Sequence, residues 1–238
     1  MTVVGMVRVR NGELHIINCL QSMLRVCDSV VVMDDHSSDR TPELLDKSRT
    51  EWFKSPFQGL NEARDRQALF YAAIKGEADW VLAMDADEVL LDPEQLRHCM
   101  ESGYSYALAM RIITLWDRPD QIRVDGIYGD LWRPYAFRPS ASNGIWVQQS
   151  PEGPNLHCGS VPTDLLHIAN RCDARVLHYG YMLREDRLAK YKWYLEHDTQ
   201  NLQNEDHYRH AVQGDLPEFL ATEIYKHGGP LKLEEWHV

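Results

Sequence analysis

The chain has 238 residues, of which 44% are hydrophobic and 26% charged, with a formal net charge of −11 and a pI near 5.4. This suits one domain with a sizeable core and excludes a disordered chain, and the acidic balance disfavours nucleic acid as a partner unless a local basic patch binds it. No apolar run approaches the roughly 20 residues that cross a bilayer. The N-terminus shows no signal-peptide pattern, and five scattered cysteines without a Cys-x-x-Cys pair argue against a disulfide framework or structural zinc. A reducing, cytoplasmic setting is the expectation.

Val3–Val9 predicts a central strand. Asn11 then offers an N-cap, and Leu14, Ile17, Leu20, Leu24 and Cys27 recur at helical spacing. Ser29–Met33 is a short β-branched run, which predicts a buried parallel strand, and it ends in Asp34 and Asp35. Thr41 as N-cap, with Pro42 at the first helical position, starts a helix to about Lys47. Trp52–Lys54 reads as a short strand, and Asn61–Lys75 as a helix of good formers stopped by Gly76. Trp80–Met84 is a further buried strand. The order β-α-β-α-β-α-β points to an α/β sheet with right-handed crossovers.

Beyond it, Asp92 caps a helix over Pro93–Ser102, and Tyr104–Leu115 predicts a long strand. Residues 116–139 are irregular and rich in Trp, Tyr, Arg and Asp, as expected of short antiparallel strands forming a pocket wall, and residues 140–170 are loop-heavy. Arg175–Tyr181 predicts a last strand, Arg184–His197 a charged helix that is a candidate lid or surface helix, and Leu216–Lys226 a second short helix.

Two constellations carry chemistry. After Trp80–Met84 come three acids, Asp85, Asp87 and Glu88, within four residues. Alternate carboxylates at a strand end share a direction and can share a hard divalent cation; taken alone, the stretch also reads as a solvated acidic turn. The second is Asp34–Thr41, whose carboxylates can accept hydrogen bonds from a ribose or a base. Ordinary strand-to-helix turn chemistry is its alternative.

Together these pieces resemble the family 2 glycosyltransferases of GT-A fold. The resemblance rests on Val7–Glu13 (VRVRNGE), Val30–Thr41 (VVVMDDHSSDRT), Ala63-Arg64-Asp65 and Trp80–Glu88 (WVLAMDADE), in that order, with His178-Tyr-Gly-Tyr181 later. It implies a mixed, mainly parallel sheet flanked by helices, a small antiparallel sheet on the acceptor side and C-terminal helices. One domain over 1–238 is expected, with a nucleotide-sugar half (1–100), an acceptor and metal half (101–183) and a helical extension (184–238).

The resemblance also implies site residues. Arg10, Glu13, Asp34 and Asp35 would face the base and ribose of a nucleotide-sugar, Arg64 its base or diphosphate, and Asp85 the ribose and the metal. Asp85, Asp87 and His178 would hold Mn²⁺ or Mg²⁺, with a UDP-sugar first among donors and a glycan or other hydroxyl-bearing compound as acceptor. An inverting transfer needs a general base. The acidic or His-Glu pair usual for the family is missing, which leaves Asp130 or His157 as candidates, with Asp125 and Glu152 behind them. Arg133, Arg138, Trp116, Trp132 and Trp146 concentrate in the acceptor half, where aromatic faces suit sugar rings and arginines suit diphosphates or acids; core packing is the alternative for the tryptophans. A nucleotidyltransferase and a non-catalytic nucleotide-sugar- or glycan-binding protein are the competing functions.

Overall fold

The computed structural model describes residues 1–48, 50–147, 158–198, 208–216 and 230–237. In chain order the elements are β1 (Val3–Val9), α1 (Ile16–Met23), β2 (Ser29–Asp34), α2 (Thr41–Lys47), β3 (Glu51–Lys54), α3 (Glu62–Ala73), β4 (Trp80–Asp85), β5 (Glu88–Leu90) and α4 (Pro93–Glu101). There follow β6 (Ala107–Trp116), β7 (Arg118–Arg123), β8 (Trp132–Phe137), β9 (Asn170–His178), α5 (Arg184–His197) and β10 (Leu233–Glu235). The described residues fall into two compact units: those within 1–111, 132–147 and 158–176, and those within 112–131, 177–198, 208–216 and 230–237. No described helix is long and apolar enough to cross a membrane.

In the first unit the parallel strands lie in the order β3-β2-β1-β4, and β8 continues the sheet antiparallel to β4. The register pairs Val9 with Asp34 and Arg8 with Asp85, so the carboxyl ends of β1, β2 and β4 finish level and bring their charged residues to one edge. The strands themselves are almost wholly buried, which is why they read as continuous apolar runs. On α1 the buried residues Ile16, Cys19, Leu20 and Met23 recur at helical spacing. Gly5 lets this helix approach: a Cβ there would stand 2.8 Å from the Met23 methyl and 2.9 Å from Val30. On α3, Ala63, Leu69, Phe70 and Ala73 join Met6, Met33, Ala83, Phe137 and Trp146 in the core. Phe70 packs 5.4 Å from the Trp146 ring and 5.7 Å from Phe137. Trp146, a candidate sugar platform from sequence, is therefore a core residue.

Residues 107–111 of β6 pair antiparallel with β8, and the register shifts between Leu108 and Ala109, where the partner is Pro134. Proline lacks the ladder donor, so a bulge is where a strand accommodates it. Arg133 and Tyr135 flank that proline.

In the second unit the rest of β6 pairs with β7, and β7 with β10, all antiparallel. Trp116 is 1% exposed and stacks between two guanidinium groups, Arg123 at 4.6 Å and Arg187 at 4.3 Å. It too is core rather than a sugar platform. α5 buries Arg187 and Tyr191, and Tyr194 stacks on Tyr208 at 4.6 Å. The helix is thus anchored by packing within its unit.

Helix starts differ locally from the expected caps. Asn11 does not cap α1; it adopts a left-handed conformation (φ 53°), its side-chain Oδ1 accepts from the Ser38 N–H, and the helix begins at Ile16. Thr41 lies inside α2, and its hydroxyl accepts from Gly12 N–H instead. Asn61 does cap α3, accepting from Arg64 N–H at 2.9 Å. The expected helix over Leu216–Lys226 lies outside the described residues from 217 onward.

Candidate active site

Two loops leave the carboxyl ends of β1 and β2 and are laced together by side-chain to backbone bonds. Asn11 N–H donates to Ser37 Oγ at 2.8 Å and Glu13 N–H to Asp39 at 3.0 Å, while the Glu13 carboxylate accepts from Arg40 N–H at 3.1 Å. Small polar residues cluster here because each satisfies a backbone group that neither strand nor helix can serve. Burial works against ionisation of Asp39, but hydrogen bonds from Thr41 and the Glu13 N–H outweigh it and lower its pKa. Glu13 is a latch between the loops, and Arg10 is exposed beside it.

Asp34 and Asp35 are 1% and 3% exposed. Asp34 accepts from Ser37 N–H at 3.3 Å. Asp35 accepts from Arg8 at 2.5 Å, and the Arg8 Nε reaches Asp65 at 3.1 Å. Asp65, fully buried on α3, also receives Arg64, at 2.9 Å from its Nε. Arg64 lies over the Phe57 ring at 4.4 Å and donates to the carbonyls of Gln58 and Gly59. Charges alternate along the row Asp35, Arg8, Asp65, Arg64, and each buried carboxylate is compensated. Arg8 and Asp65 carry roles that the motifs alone do not announce; the signal in the sequence is a single arginine inside an otherwise apolar strand.

The acidic stretch is a tight turn between β4 and β5. Glu88, 1% exposed, accepts from Asp85 N–H at 2.8 Å and from Tyr135 Oη at 2.5 Å. It supports the turn, and burial together with the adjacent Glu88 charge pushes the Tyr135 pKa up. The Asp85 side chain keeps 37% exposure, and each of its oxygens meets one guanidinium: Arg133 at 2.8 Å and Arg66 at 3.2 Å. Burial opposes its ionisation, yet Arg133 and then Arg66 hold its carboxyl well below the usual range. Asp87 follows in the turn, half-buried.

The other predicted residues lie elsewhere. His178 ends β9 in the second unit, its ring edge-on to Tyr181 at 5.2 Å. Asp130 is exposed at the end of a 3₁₀ turn in that unit. Asp125 is taken up by Arg123 at 2.9 and 2.8 Å and by Lys232 N–H, which makes it structural. His157 and Glu152 fall outside the described residues. Arg138 lies over Trp80 and donates to the Ser105 and Met100 carbonyls, so it braces the fold. Among the described residues no three His, Cys, Asp or Glu side chains converge as a cation cage.

A mainly parallel sheet with carboxylates at the ends of neighbouring strands defines an α/β protein with its candidate site at the strands' carboxyl edge. Residues 6–145 match Glycosyl transferase family 2, and the chain belongs to that family. Its fold is GT-A: S. aureus TarS residues 1–349 superposes with a TM-score of 0.52 at 17% identity, covering 94% of this chain and 72% of that one. The same protein in complex with UDP-GlcNAc gives a TM-score of 0.50 over 94% and 73% of the two chains. Uncharacterised proteins of Mycobacterium tuberculosis and Mycobacterium bovis are 26% identical over 217 residues, covering 83% of this chain. The chain spans about half (51%) of the length of these curated relatives.

Proposed function

We propose that the protein transfers a sugar from a nucleotide-diphosphate sugar to an acceptor hydroxyl. The observation that carries this reading is the level edge of β1, β2 and β4, where Asp34, Asp35 and the Asp85–Glu88 turn stand together in a chain of this family. A UDP-GlcNAc complex of a protein with the same fold supports a UDP-sugar as donor.

In this reading the strand end carrying Asp34 and Asp35 forms the base and ribose subsite, the two nearly buried carboxylates shaping it and the Arg8–Asp65–Arg64 row keeping them rigid. The Glu13 latch holds the two loops at a fixed separation, with Arg10 beside it. Departure of the diphosphate builds negative charge, which positive groups near the β4 end stabilise. The oxygen donors of Asp85 and Asp87 fit a hard cation such as Mn²⁺ or Mg²⁺, which when bound acts as a Lewis acid; Asp85 fits only once parted from its arginines. The family resemblance adds His178 as a further ligand. Asp130 or His157 takes the acceptor proton in an inverting displacement, and five scattered cysteines agree with a reducing, cytoplasmic setting.

The test is a thermal-shift screen of nucleotide-sugars with Mn²⁺, followed by product analysis on the ligand that stabilises. Release of nucleoside diphosphate is expected; release of pyrophosphate would make the protein a nucleotidyltransferase. Absence of nucleotide binding with every divalent ion would overturn the reading.

A further inference from the structure

We propose that Arg66 and Arg133 form an anion site for the donor's diphosphate, and that Asp85 fills this site in the free protein as an internal stand-in for the ligand. The inference rests on the nucleotide-sugar reading and names the residues that hold the leaving group.

Arg66 comes from α3 and Arg133 from β8, elements distant in sequence, and each offers Nη2 to a different oxygen of one carboxylate, at 3.2 and 2.8 Å. Arg133 also points Nη1 at Glu88, but at 3.5 Å, and that carboxylate is already engaged by Tyr135 and the Asp85 N–H. Neither guanidinium is used up. The Nε of Arg66 is buried with no hydrogen-bond partner among the described residues. A guanidinium brings five N–H donors in a planar fork suited to phosphate oxygens.

Arg187 in the second unit provides the contrast. It is 1% exposed and makes five hydrogen bonds, to Asp215, Asp117 and the carbonyls of Tyr181 and Met182. That arginine has nothing left to offer a ligand. Arg133 and Asp85 retain 30% and 37% exposure, so solvent and solutes reach the pair. The cluster also stands at the carboxyl end of a parallel strand, where α/β sheets bind ligands. A diphosphate carries more charge and more acceptor oxygens than one carboxylate. It displaces Asp85 from the Nη2 groups of both arginines and frees the Asp85 carboxylate.

Calorimetric titration of the whole chain with inorganic pyrophosphate, without divalent metal, tests this directly. Asp85→Asn removes the internal competitor and is expected to tighten pyrophosphate binding several-fold, or to make it measurable where the parent shows none. Arg66→Gln and Arg133→Gln are each expected to weaken it about tenfold, as for a lost charge-assisted hydrogen bond. Arg66→Lys and Arg133→Lys keep the charge and lose the fork; they are expected to fall between, and they decide the matter if a glutamine variant melts far below the parent. Pyrophosphate affinity unchanged in the arginine variants, weaker in Asp85→Asn, or absent from both parent and Asp85→Asn overturns the proposal. A parallel titration with UDP and Mn²⁺ separates the two levels: UDP binding that ignores both arginines removes this assignment alone, whereas no UDP binding removes the nucleotide-sugar reading.

Discussion

Arginine–aspartate pairs organise both units, and they do so differently. In the second unit Arg123 and Arg187 are 0% and 1% exposed and sandwich Trp116; they meet Asp125 and Asp215, whose side chains are 5% and 9% exposed, and Arg187 also reaches out to Asp117, which is 46% exposed. Arg123 spends its donors on Asp125, Gln213 and the His210 carbonyl. In the first unit Asp85, 37% exposed, meets Arg133 (30%) and the more buried Arg66 (11%) at a turn, with one donor of Arg66 left over. The same ionic chemistry is thus a rivet where it is dry and saturated, and a binding element where it is wet and incomplete. Burial and the count of unused donors tell the two apart; residue type does not.

The largest effect that would break this comparison concerns catalysis. Asp87→Ala is expected to lower donor turnover at least about a hundredfold, the scale of losing hold of the cation that stabilises leaving-group charge, while shifting the melting temperature little. Normal turnover in this variant would take the acidic turn out of the chemistry. On the rivet side, Arg187→Met leaves the buried Asp215 with only Arg184 at 3.5 Å and is expected to destabilise folding by about 3 kcal/mol, as for a broken buried pair. Urea unfolding measures it, and a loss below about 1 kcal/mol would show that the second unit does not depend on its saturated arginine.

Tyr135→Phe sharpens the boundary between support and ligand. It removes one hydrogen bond to the buried Glu88 carboxylate and is expected to cost about 1–3 kcal/mol of stability, with nucleotide affinity retained. The smallest effect is pH-dependent. Arg175 donates to Asp92 at 2.7 Å and, ahead of the opposing effect of burial, lowers its pKa. A carboxyl with a lower pKa in the folded chain stabilises above its ordinary value near 4, and that contribution disappears as pH falls through the folded value. Asp92→Asn is therefore expected to flatten the acid limb of the stability curve by at most about 1 kcal/mol, since the pair is partly exposed. An unaltered limb between about pH 4 and 2 would show that the pair has no net worth.

The alternation of apolar runs and helical stretches made the parallel sheet legible, because strands buried on both faces must be apolar throughout. The acids Asp34, Asp35, Asp85 and Asp87 were legible as strand-end carboxylates for the same reason: a charge that ends a buried strand stands at the sheet's edge. What the acids touch was not legible. Asp65 lies 57 positions from Arg8, its partner at 3.1 Å, and Arg133 lies 48 from Asp85. Pairing across such separations depends on strand order and register, which local periodicity does not encode. Trp116 and Trp146 show the same limit, since an aromatic face reads alike whether it meets a sugar or a core.

The sequence by itself determined the α/β class, the family and the position of the acidic turn, since periodicity and short motifs are local properties of the chain. Only the tertiary structure decided that Asp85 is clamped by Arg66 and Arg133, that Glu88 holds the turn, and that Asp125 is a structural anchor. Those roles depend on burial and on the geometry of donors brought together from separate elements, and both arise only once the sheet has closed its register.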